Sequence, residues 1–293
     1  MALKLNFDEV DTPPRPAASV MLLREGLGGP EVFMLRRHSD SDVLGGAYVF
    51  PGGKVDGDDH EDEMLARLDT PTHALHASLA DPTLEPHRAA GYFVAACRET
   101  FEECGVLLAL QADGDRARRA HSLAREGLNF LEMLQQLDLQ LAISQLIPWS
   151  RWITPRMATL MNKRFDTRFF VAMAPPDQVA QHDERETTEG IWQRPRQALE
   201  RYWAREIDLA APQIMTLAHF CRFDNTAAIL DEARRRPPPT IEPNPRKIEG
   251  GRIVAYPGDP HHPVRERAMP GPTCLTFRDG RFEPEGGFEA LFS

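Results

Sequence analysis

Three glutamates stand close together in the stretch "RETFEECGV": Glu99, Glu102 and Glu103. On a helix that turns ~100° per residue, Glu102 and Glu103 lie within about 60° of Glu99, one on either side. Like charges at this spacing destabilise a helix by a few tenths of a kcal/mol. A divalent cation would turn the repulsion into coordination, because hard Mg²⁺ or Mn²⁺ prefers carboxylate oxygens. The spacing leaves two alternatives, a solvated acidic face and a cation site.

The surrounding residues predict the elements that would position these carboxylates. Residues 89–104 follow a helical pattern and Gly105 favours a helix end there. The side chains opposite the glutamates are those of a core face: Phe93, Cys97, Thr100, Phe101 and Cys104. "GVLLAL" after the helix predicts a buried strand. Upstream, "AYVFPGGKVD" predicts a short strand that ends at Pro51 and a tight turn at its two glycines.

The rest of the chain predicts a mixture of strands and helices. Two apolar runs, Ser19–Leu23 and Val32–Leu35, predict a β-hairpin, and "LIPWSRWITP", "TRFFVAMAP" and "EGIWQ" predict further strands. Residues 116–140, interrupted at Gly127, and residues 212–235 predict helices. Short strands follow near the C-terminus, in "GRIVAYPG" and in "TCLTFRDGRFEP" with its Asp-Gly turn. The predicted units are an N-terminal tail (1–15), a domain (16–235) interrupted by an insertion at about 60–89, and a proline-rich connection with a β extension (236–293).

Composition restricts the class of protein. The 293 residues are 42% hydrophobic, and no apolar run approaches the ~20 residues of a membrane helix. The N-terminus has no secretory pattern, so the expected location is cytoplasmic. The net charge of −10 argues against a nucleic-acid surface. The four cysteines form no CxxC pair and predict reduced thiols, and a solvated loop explains His73 and His76 better than a zinc site.

"RETFEECGV" resembles the second half of the Nudix box, a motif of the Nudix hydrolase superfamily. The matching positions are Arg98, Glu99, Glu102, Glu103, Gly105 and Val106, while Thr100 replaces the usual aliphatic residue. The first half of that box is a glycine followed six residues later by a glutamate. Gly53 fits the glycine and Asp59 stands in place of the glutamate, but Arg98 follows Asp59 by 39 residues. The box therefore resembles a Nudix box split by about 31 inserted residues.

The resemblance implies an α/β Nudix fold, a mixed β-sheet sandwiched between α-helices, here with a helical insertion and a C-terminal extension. It implies metal-dependent hydrolysis of a nucleoside diphosphate derivative, with Mg²⁺ or Mn²⁺ held by Glu99, Glu102, Glu103 and the carbonyl of Gly52. Catalytic roles are implied for Glu102, Glu103 and for Arg98, which would orient a neighbouring carboxylate. A general base often comes from outside the box. The candidates are Glu184, Glu186 and Glu189, with Glu189 preferred, and a box glutamate is the alternative.

A branch within the superfamily is also indicated. "FMLRRHSDSDVLGGAYVFPGGKVD", "WSRWITP", "RFDTRFFVA" and the insertion are similar to coenzyme A diphosphatases, which cleave coenzyme A or acyl-CoA into adenosine 3′,5′-bisphosphate and (acyl-)phosphopantetheine. Arg37, Gly53 and Arg168 would then bind the substrate. His38 and Asp40 depart from the branch signature, so ADP-ribose, NADH or another nucleotide remains an alternative substrate, and a non-catalytic nucleotide-binding module an alternative function.

Two further expectations concern the parts outside the box. The amphipathic insertion and residues 116–140 would line a groove for a pantetheine or acyl arm. The C-terminal extension would either pack on the domain or form a homodimer interface. The expected partner is a small-molecule nucleoside diphosphate, with neither a nucleic acid nor a membrane.

Overall fold

The structure, a computed structural model, describes residues 9–41, 44–157, 163–183, 187–249 and 251–293. The strands are β1 (Arg15–Gly26), β2 (Gly29–Arg37), β3 (Tyr48–Val49), β4 (Gly52–Lys54), β5 (Ile147–Ile153), β6 (Phe165–Met173), β7 (Thr187–Gln193), β8 (Thr240–Ile241), β9 (Asn244–Ile248), β10 (Gly251–Ala255), β11 (Cys274–Arg278) and β12 (Arg281–Glu283). The α-helices are α1 (Asp62–Leu65), α2 (Thr72–Ser78), α3 (Pro86–Cys104), α4 (Gly114–Arg125), α5 (Phe130–Gln136), α6 (Pro195–Trp203), α7 (Ala211–Phe220) and α8 (Thr226–Arg235). Short 3₁₀ helices span Gly57–His60, Ile143–Gln145 and Phe288–Phe292.

The larger sheet is mixed. Its strand order is β3-β2-β1-β6-β5-β8, with β4 paired to β1 and β7 paired to β2. The pairs β1–β6 and β5–β8 are parallel, whereas β1 and β2 form the predicted antiparallel hairpin. Because helices cover this sheet on both faces, the predicted fold class is confirmed.

Alternation along β1 divides the interior into two layers. Val20 and Leu22 point to the face covered by α3, together with the insertion, α4 and α5. Met21 and Leu23 point to the opposite face, which α6, α7, α8 and the C-terminal extension cover. Each face of the sheet therefore has its own hydrophobic core, and the glutamates of α3 belong to the first face.

The insertion forms α1 and α2 and packs into the core beneath α3. Met64, Leu75 and Leu79 are buried in the same cluster as Phe93 of α3. The chain between α1 and α2 also exchanges backbone hydrogen bonds with Leu141. The apolar faces of the insertion and of α4 and α5 are therefore used in core packing. The predicted groove for a pantetheine or acyl arm stays a prediction.

The predicted strand in "GVLLAL" is wrong. Val106, Leu107 and Leu108 are buried as expected, but they lie between α3 and the later elements without joining a named strand. The side chain of Gln178 replaces a strand neighbour there. Its Oε1 accepts a hydrogen bond from the Leu107 N–H at 2.8 Å, and its Nε2 donates to the Leu107 carbonyl at 3.1 Å. A buried backbone needs hydrogen-bond partners, and a side-chain amide supplies them as well as a strand does.

The C-terminal extension packs on the domain. β8 adds to the larger sheet beside β5, and β9 to β12 form a second, four-stranded sheet. Val254, Tyr256 and Leu275 are buried in one cluster with Leu199 of α6. The predicted Asp-Gly turn joins β11 to β12. Within the described ranges, no helix combines the length and apolar composition of a membrane span. The domain boundaries at residues 16 and 235 stay predictions.

Candidate active site

The helix α3 carries the box residues in its last two turns. It begins with Pro86 at its first position, where the missing N–H costs nothing, and ends at Gly105. Gly105 takes the left-handed conformation (φ 75°) and its N–H donates to the carbonyl of Phe101. This glycine cap is the helix end that the sequence predicted. Arg98 to Glu103 lie at the edge where β4 pairs with β1, since Glu103 bonds to Gly52 and Glu99 lies against Gly53.

The three carboxylates differ in exposure. The side chain of Glu102 is 49% exposed, that of Glu99 15% and that of Glu103 only 7%. The acidic face of α3 is therefore largely covered, which a solvated acidic face would not be. Glu103 is held in place because its Oε2 accepts a hydrogen bond from the Gly52 N–H at 2.8 Å. Arg37 also approaches Glu103, with 4.0 Å between Nη1 and Oε1.

The two glycines after Pro51 make a close approach possible on both sides of β4. A Cβ added to Gly52 would lie 2.3 Å from the carbonyl oxygen of Ala18, and one added to Gly53 would lie 2.4 Å from the carboxyl carbon of Glu99. Contacts this short do not occur for real Cβ atoms, so any larger residue would displace its neighbour. The predicted tight turn at Gly52 and Gly53 is wrong, because both glycines lie in β4 and pair with β1. The glycines instead allow close packing, and the neighbour of Gly53 is a box glutamate.

A buried ion pair joins the two halves of the box across the insertion. Asp59 is 1% exposed and accepts two hydrogen bonds from the Arg98 guanidinium, from Nε at 2.8 Å and from Nη2 at 2.9 Å. Nη1 of Arg98 donates to Glu99 at 2.9 Å and to Glu102 at 3.1 Å, while Nη2 also donates to the Lys54 carbonyl. Arg98 therefore orients two box carboxylates at once. Asp59 occupies the place that the resemblance gives to the glutamate of the first half.

The pKa values of Glu99 and Glu102 are raised because the acids are partly buried and close together. Burial raises the pKa of Glu99 to about 7, and the charges of Glu102 and Asp59 add to this rise while Arg98 opposes it. Burial also raises the pKa of Glu102, again against the effect of Arg98. For Arg98, burial lowers the pKa, but Asp59 and the two glutamates outweigh burial and raise it. The guanidinium therefore stays charged, and it does not fully compensate the acids.

The donor set fits a hard divalent cation. Oxygen ligands from Glu99, Glu102 and Glu103 lie within little more than one helical turn. Burial and the charges of Glu102 and Asp59 raise the pKa of Glu99 despite the adjacent Arg98, so a cation would relieve the crowding of these acids. In the side-chain positions of the described residues, no three acidic, histidine or cysteine side chains converge on a single point. The carboxylates instead turn toward Arg98 and Gly52.

Glu189 does not lie with the box carboxylates. It pairs with Arg36 in the β2–β7 ladder, and its Oε2 accepts a hydrogen bond from the Tyr48 hydroxyl at 2.5 Å. Tyr48 belongs to the core on the face opposite α3. Burial, followed by the bond to Glu189, raises the pKa of Tyr48 to about 12. The role of Glu189 as general base stays a prediction, and its position across the sheet weighs against it. Glu184 and Glu186 lie outside the described residues.

Arg168 is likewise held by other partners. Its side chain is 3% exposed and forms an ion pair with Asp81 of the insertion, and its guanidinium lies 5.3 Å from the ring centroid of Tyr92. The substrate-binding role of Arg168 therefore stays a prediction, although its side chain has almost no exposed surface. Sequence reasoning missed Asp81, because a lone aspartate in a proline-bearing insertion carries no motif. It also missed the buried state of Asp59, although the six-residue spacing from Gly53 pointed to this residue.

A cavity of about 590 Å³ lies elsewhere in the fold. Its walls come from the end of β5, near Pro155, and from the C-terminal extension, including Thr240 and Val264. It contains no residue of α3 or β4. The chemistry of the box residues therefore belongs to the edge between α3 and β4, and this cavity is a separate feature.

Comparisons with known proteins agree with this geometry. Acyl-coenzyme A diphosphatase NUDT19 of Gallus gallus is 31% identical over 264 residues, which cover 72% of this chain and 69% of the relative. The Homo sapiens protein of the same name is 27% identical over 232 residues, 67% of this chain and 61% of that protein. The matched region thus covers 61% to 69% of the length of these two relatives. A crystal structure of a Nudix hydrolase from Alicyclobacillus acidocaldarius superposes with a TM-score of 0.58 at 25% identity, covering 75% of this chain and 97% of that one.

A family model, described as the NUDT19 Nudix domain, matches residues 15–220. This range contains both halves of the split box and the insertion between them. Since the match covers more than half of the 293 residues, the chain belongs to the Nudix hydrolases, in the family of the NUDT19 Nudix domain.

Proposed function

We propose that this protein is a Mg²⁺- or Mn²⁺-dependent hydrolase of the pyrophosphate bond in coenzyme A or acyl-CoA. The products would be adenosine 3′,5′-bisphosphate and 4′-phosphopantetheine or its acyl derivative. The observation that carries the proposal is the Arg98–Asp59 ion pair, which joins a Nudix box across an insertion. The named relatives with the same family domain are acyl-coenzyme A diphosphatases, which supports coenzyme A as the substrate class.

The residues of the box would have different roles, cation binding and the orientation of carboxylates. Glu99, Glu102 and Glu103, with the carbonyl of Gly52, would hold the cation. When bound, the cation neutralises the phosphoryl oxygens and lowers the pKa of a bound water. Arg98 keeps Glu99 and Glu102 oriented through its Nη1 bonds.

Two contacts fix the other side of the site. The Gly52 N–H holds one oxygen of Glu103, so the remaining oxygen is the one directed toward Arg37. Arg37, at the end of β2, would bind a substrate phosphate beside Glu103, which its 4.0 Å approach to that carboxylate supports. Because the Glu189 carboxylate lies on the opposite face of the sheet from α3, a box glutamate would take the proton from the attacking water.

The test is a substrate screen with product identification on the full chain. Coenzyme A, acyl-CoA, ADP-ribose and NADH are compared with Mg²⁺, with Mn²⁺ and with EDTA, for the wild type and for Glu102→Gln and Glu103→Gln. Cleavage of coenzyme A at the pyrophosphate, lost in EDTA and in the double variant, is the expected result. Full turnover without metal, or in the double variant, would overturn the mechanism.

The other outcomes distinguish the alternatives that the sequence left open. Preference for ADP-ribose or NADH would reject the coenzyme A branch alone, in keeping with His38 and Asp40, which depart from the branch signature. No hydrolysis of any diphosphate by well-folded protein would favour a non-catalytic nucleotide-binding module. The cytoplasmic location and the homodimer stay predictions, to be checked by fractionation of the source cells and by sedimentation.

A further inference from the structure

A buried group of charged side chains ties the insertion to the larger sheet. Asp81, between α2 and α3, is 7% exposed, and its Oδ2 forms ion pairs with Arg168 of β6 and with Arg151 of β5. Arg151 also makes a two-bond pair with Asp166. The guanidinium of Arg168 lies against the ring of Tyr92, which is in the first half of α3. The insertion and two strands therefore meet at the Asp81 carboxylate, and α3 joins this group through Tyr92 and Arg168.

The carboxylate of Asp81 is fully engaged. Its Oδ1 accepts hydrogen bonds from the N–H of Thr83 at 3.1 Å and from the Thr83 hydroxyl at 2.6 Å. Burial raises the pKa of Asp81, but the bonds from Thr83 and Arg168 and the charge of Arg151 outweigh burial and lower the pKa to about 2. Asp81 is therefore ionised at neutral pH, and its removal would leave two arginines without their shared partner.

The position of this group relative to the box follows from the strand register. Arg168 of β6 is the partner of Ala18 of β1, and Ala18 is the partner of Gly53 of β4. Residues in one such row point to the same face, and strands are ~4.8 Å apart, so Arg168 and Gly53 are separated by about 10 Å. Along α3, Tyr92 and Glu99 are seven residues apart, also about 10 Å. α3 thus runs along this row, across the strands, with Tyr92 at Arg168 and Glu99 at Gly53.

We propose that Asp81 and Arg168 are positioning residues that set how α3 lies over β4. The ion pair fixes the first half of the helix against β6, two turns before Glu99. The distance between Glu99 and Gly53 then depends on this attachment. The proposal rests on the proposed function, and it assigns the insertion a part in catalysis: the segment that splits the box also supplies the carboxylate that holds the box helix in place.

This assignment differs from the substrate-binding role that the sequence suggested for Arg168. A phosphate ligand needs accessible guanidinium nitrogens, whereas Arg168 is 3% exposed and is already paired. The two roles predict different kinetics. Loss of a positioning residue lowers kcat and weakens cation binding, while loss of a phosphate ligand raises KM for substrates that carry that phosphate.

The experiment uses the full chain with Asp81→Asn, which removes the charge and keeps the shape. Thr83→Ala, which removes one hydrogen bond to Asp81, is the milder variant to be used alongside it. The matched control is Asp259→Asn, because Asp259 is a carboxylate in the C-terminal extension that is also buried and bonded, to His261 and Thr273. The measurements are Mn²⁺ affinity by electron paramagnetic resonance, kcat and KM for coenzyme A and dephospho-CoA, and circular dichroism to establish folding.

For Asp81→Asn we expect Mn²⁺ binding to weaken about 10-fold and kcat to fall about 10- to 100-fold, because small displacements of a catalytic group have effects of this size. KM should change by less than about 3-fold for either substrate, since uniform binding is untouched. Thr83→Ala should show smaller changes in the same direction. Asp259→Asn should alter unfolding alone.

Three results would overturn the proposal. The first is Mn²⁺ affinity and kcat in Asp81→Asn and Thr83→Ala that equal those of Asp259→Asn. The second is a selective rise of KM for coenzyme A over dephospho-CoA, which would return Arg168 to a phosphate-binding role. The third is an unfolded Asp81→Asn together with a Thr83→Ala of wild-type affinity and rate. If the wild type cleaves no diphosphate, the proposed function fails. The Mn²⁺ affinities of the variants then still decide whether Asp81 and Arg168 position α3.

Discussion

The ion pair between Arg98 and Asp59 offers a direct test of how the split box is held together. Asp59→Asn preserves the shape of the side chain but leaves one acceptor oxygen for three donors. These donors are Nε and Nη2 of Arg98 and the N–H of Asp56, which lies 2.8 Å from Oδ2. If the asparagine oxygen keeps the last two donors, its NH₂ group faces the Nε–H of Arg98. One buried donor is then unsatisfied and a buried charge loses its bidentate partner.

The magnitude follows from these losses. An unsatisfied buried donor costs about 1–3 kcal/mol, and removal of one partner from a buried ion pair costs about 3–5 kcal/mol. Arg98 retains Glu99 and Glu102 as partners, so the lower part of the second range applies. We therefore expect Asp59→Asn to lower the free energy of unfolding by about 3 kcal/mol. Because Arg98 also orients those two glutamates, kcat should fall by about 10- to 100-fold.

The assay is urea unfolding followed by tryptophan fluorescence, together with kcat measured well below the unfolding midpoint. The matched control is Asp58→Asn, since Asp58 is an exposed acid in the same 3₁₀ turn and should change stability by less than about 0.5 kcal/mol. The reasoning would be refuted if Asp59→Asn and Asp58→Asn had the same unfolding free energy and the same kcat. A stability loss without a loss of kcat would restrict Asp59 to a structural role.

Three further outcomes can be measured in the same way. Gly53→Ala should lower activity more than stability, because its methyl group meets the flexible carboxylate of Glu99. Gly52→Ala should lower stability, because its methyl group meets a backbone carbonyl of β1. Equal urea midpoints for the two variants would contradict this. Glu189→Gln should keep kcat within about 3-fold, and a fall of about 100-fold or more would establish it as the base. For Asp81, a pKa lowered from 3.8 to about 2 gives stability that is present above pH 4 and is lost as the pH falls through 2. The unfolding free energies of wild type and Asp81→Asn, measured from pH 5 to pH 2, should therefore converge by about 1–2 kcal/mol, and parallel curves would contradict the shift.

Local sequence patterns predicted the parts of the fold that depend on residues close together in the sequence. The apolar periodicity of α3 and its glycine end predicted the helix, and the alternation of β1 and β2 predicted the hairpin. The glutamate spacing predicted the acidic face of α3. It did not predict that Glu103 is buried, since the cover comes from Gly52 and Arg37, which lie far away in the chain.

The prediction for Glu189 depended on which face of the sheet its side chain occupies. Glu189 is close to Arg37 in the sheet, but the β2–β7 register shifts between Arg36 and Arg37, and Glu189 pairs with Arg36. One step of register reverses the face to which a side chain points, and a sequence does not reveal the register between strands 150 residues apart. The prediction for "GVLLAL" failed for another reason. The side chain of Gln178 satisfies the backbone of Leu107, and in this described segment only Ala109 forms a β-bridge, an isolated one with Leu141.

The insertion explains why half of the motif stands so far from the other half without loss of the site. Lengthening the connection between Asp59 and Arg98 from the usual 8 residues to 39 costs about 1.4 kcal/mol of chain entropy, since each doubling costs ~0.6 kcal/mol. The insertion also buries Met64, Leu75 and Leu79 in the core beneath α3. The longer connection is therefore packed on the domain rather than left as a free loop. What has to be kept is the contact between Arg98 and Asp59, and this contact is a property of the fold rather than of spacing along the chain.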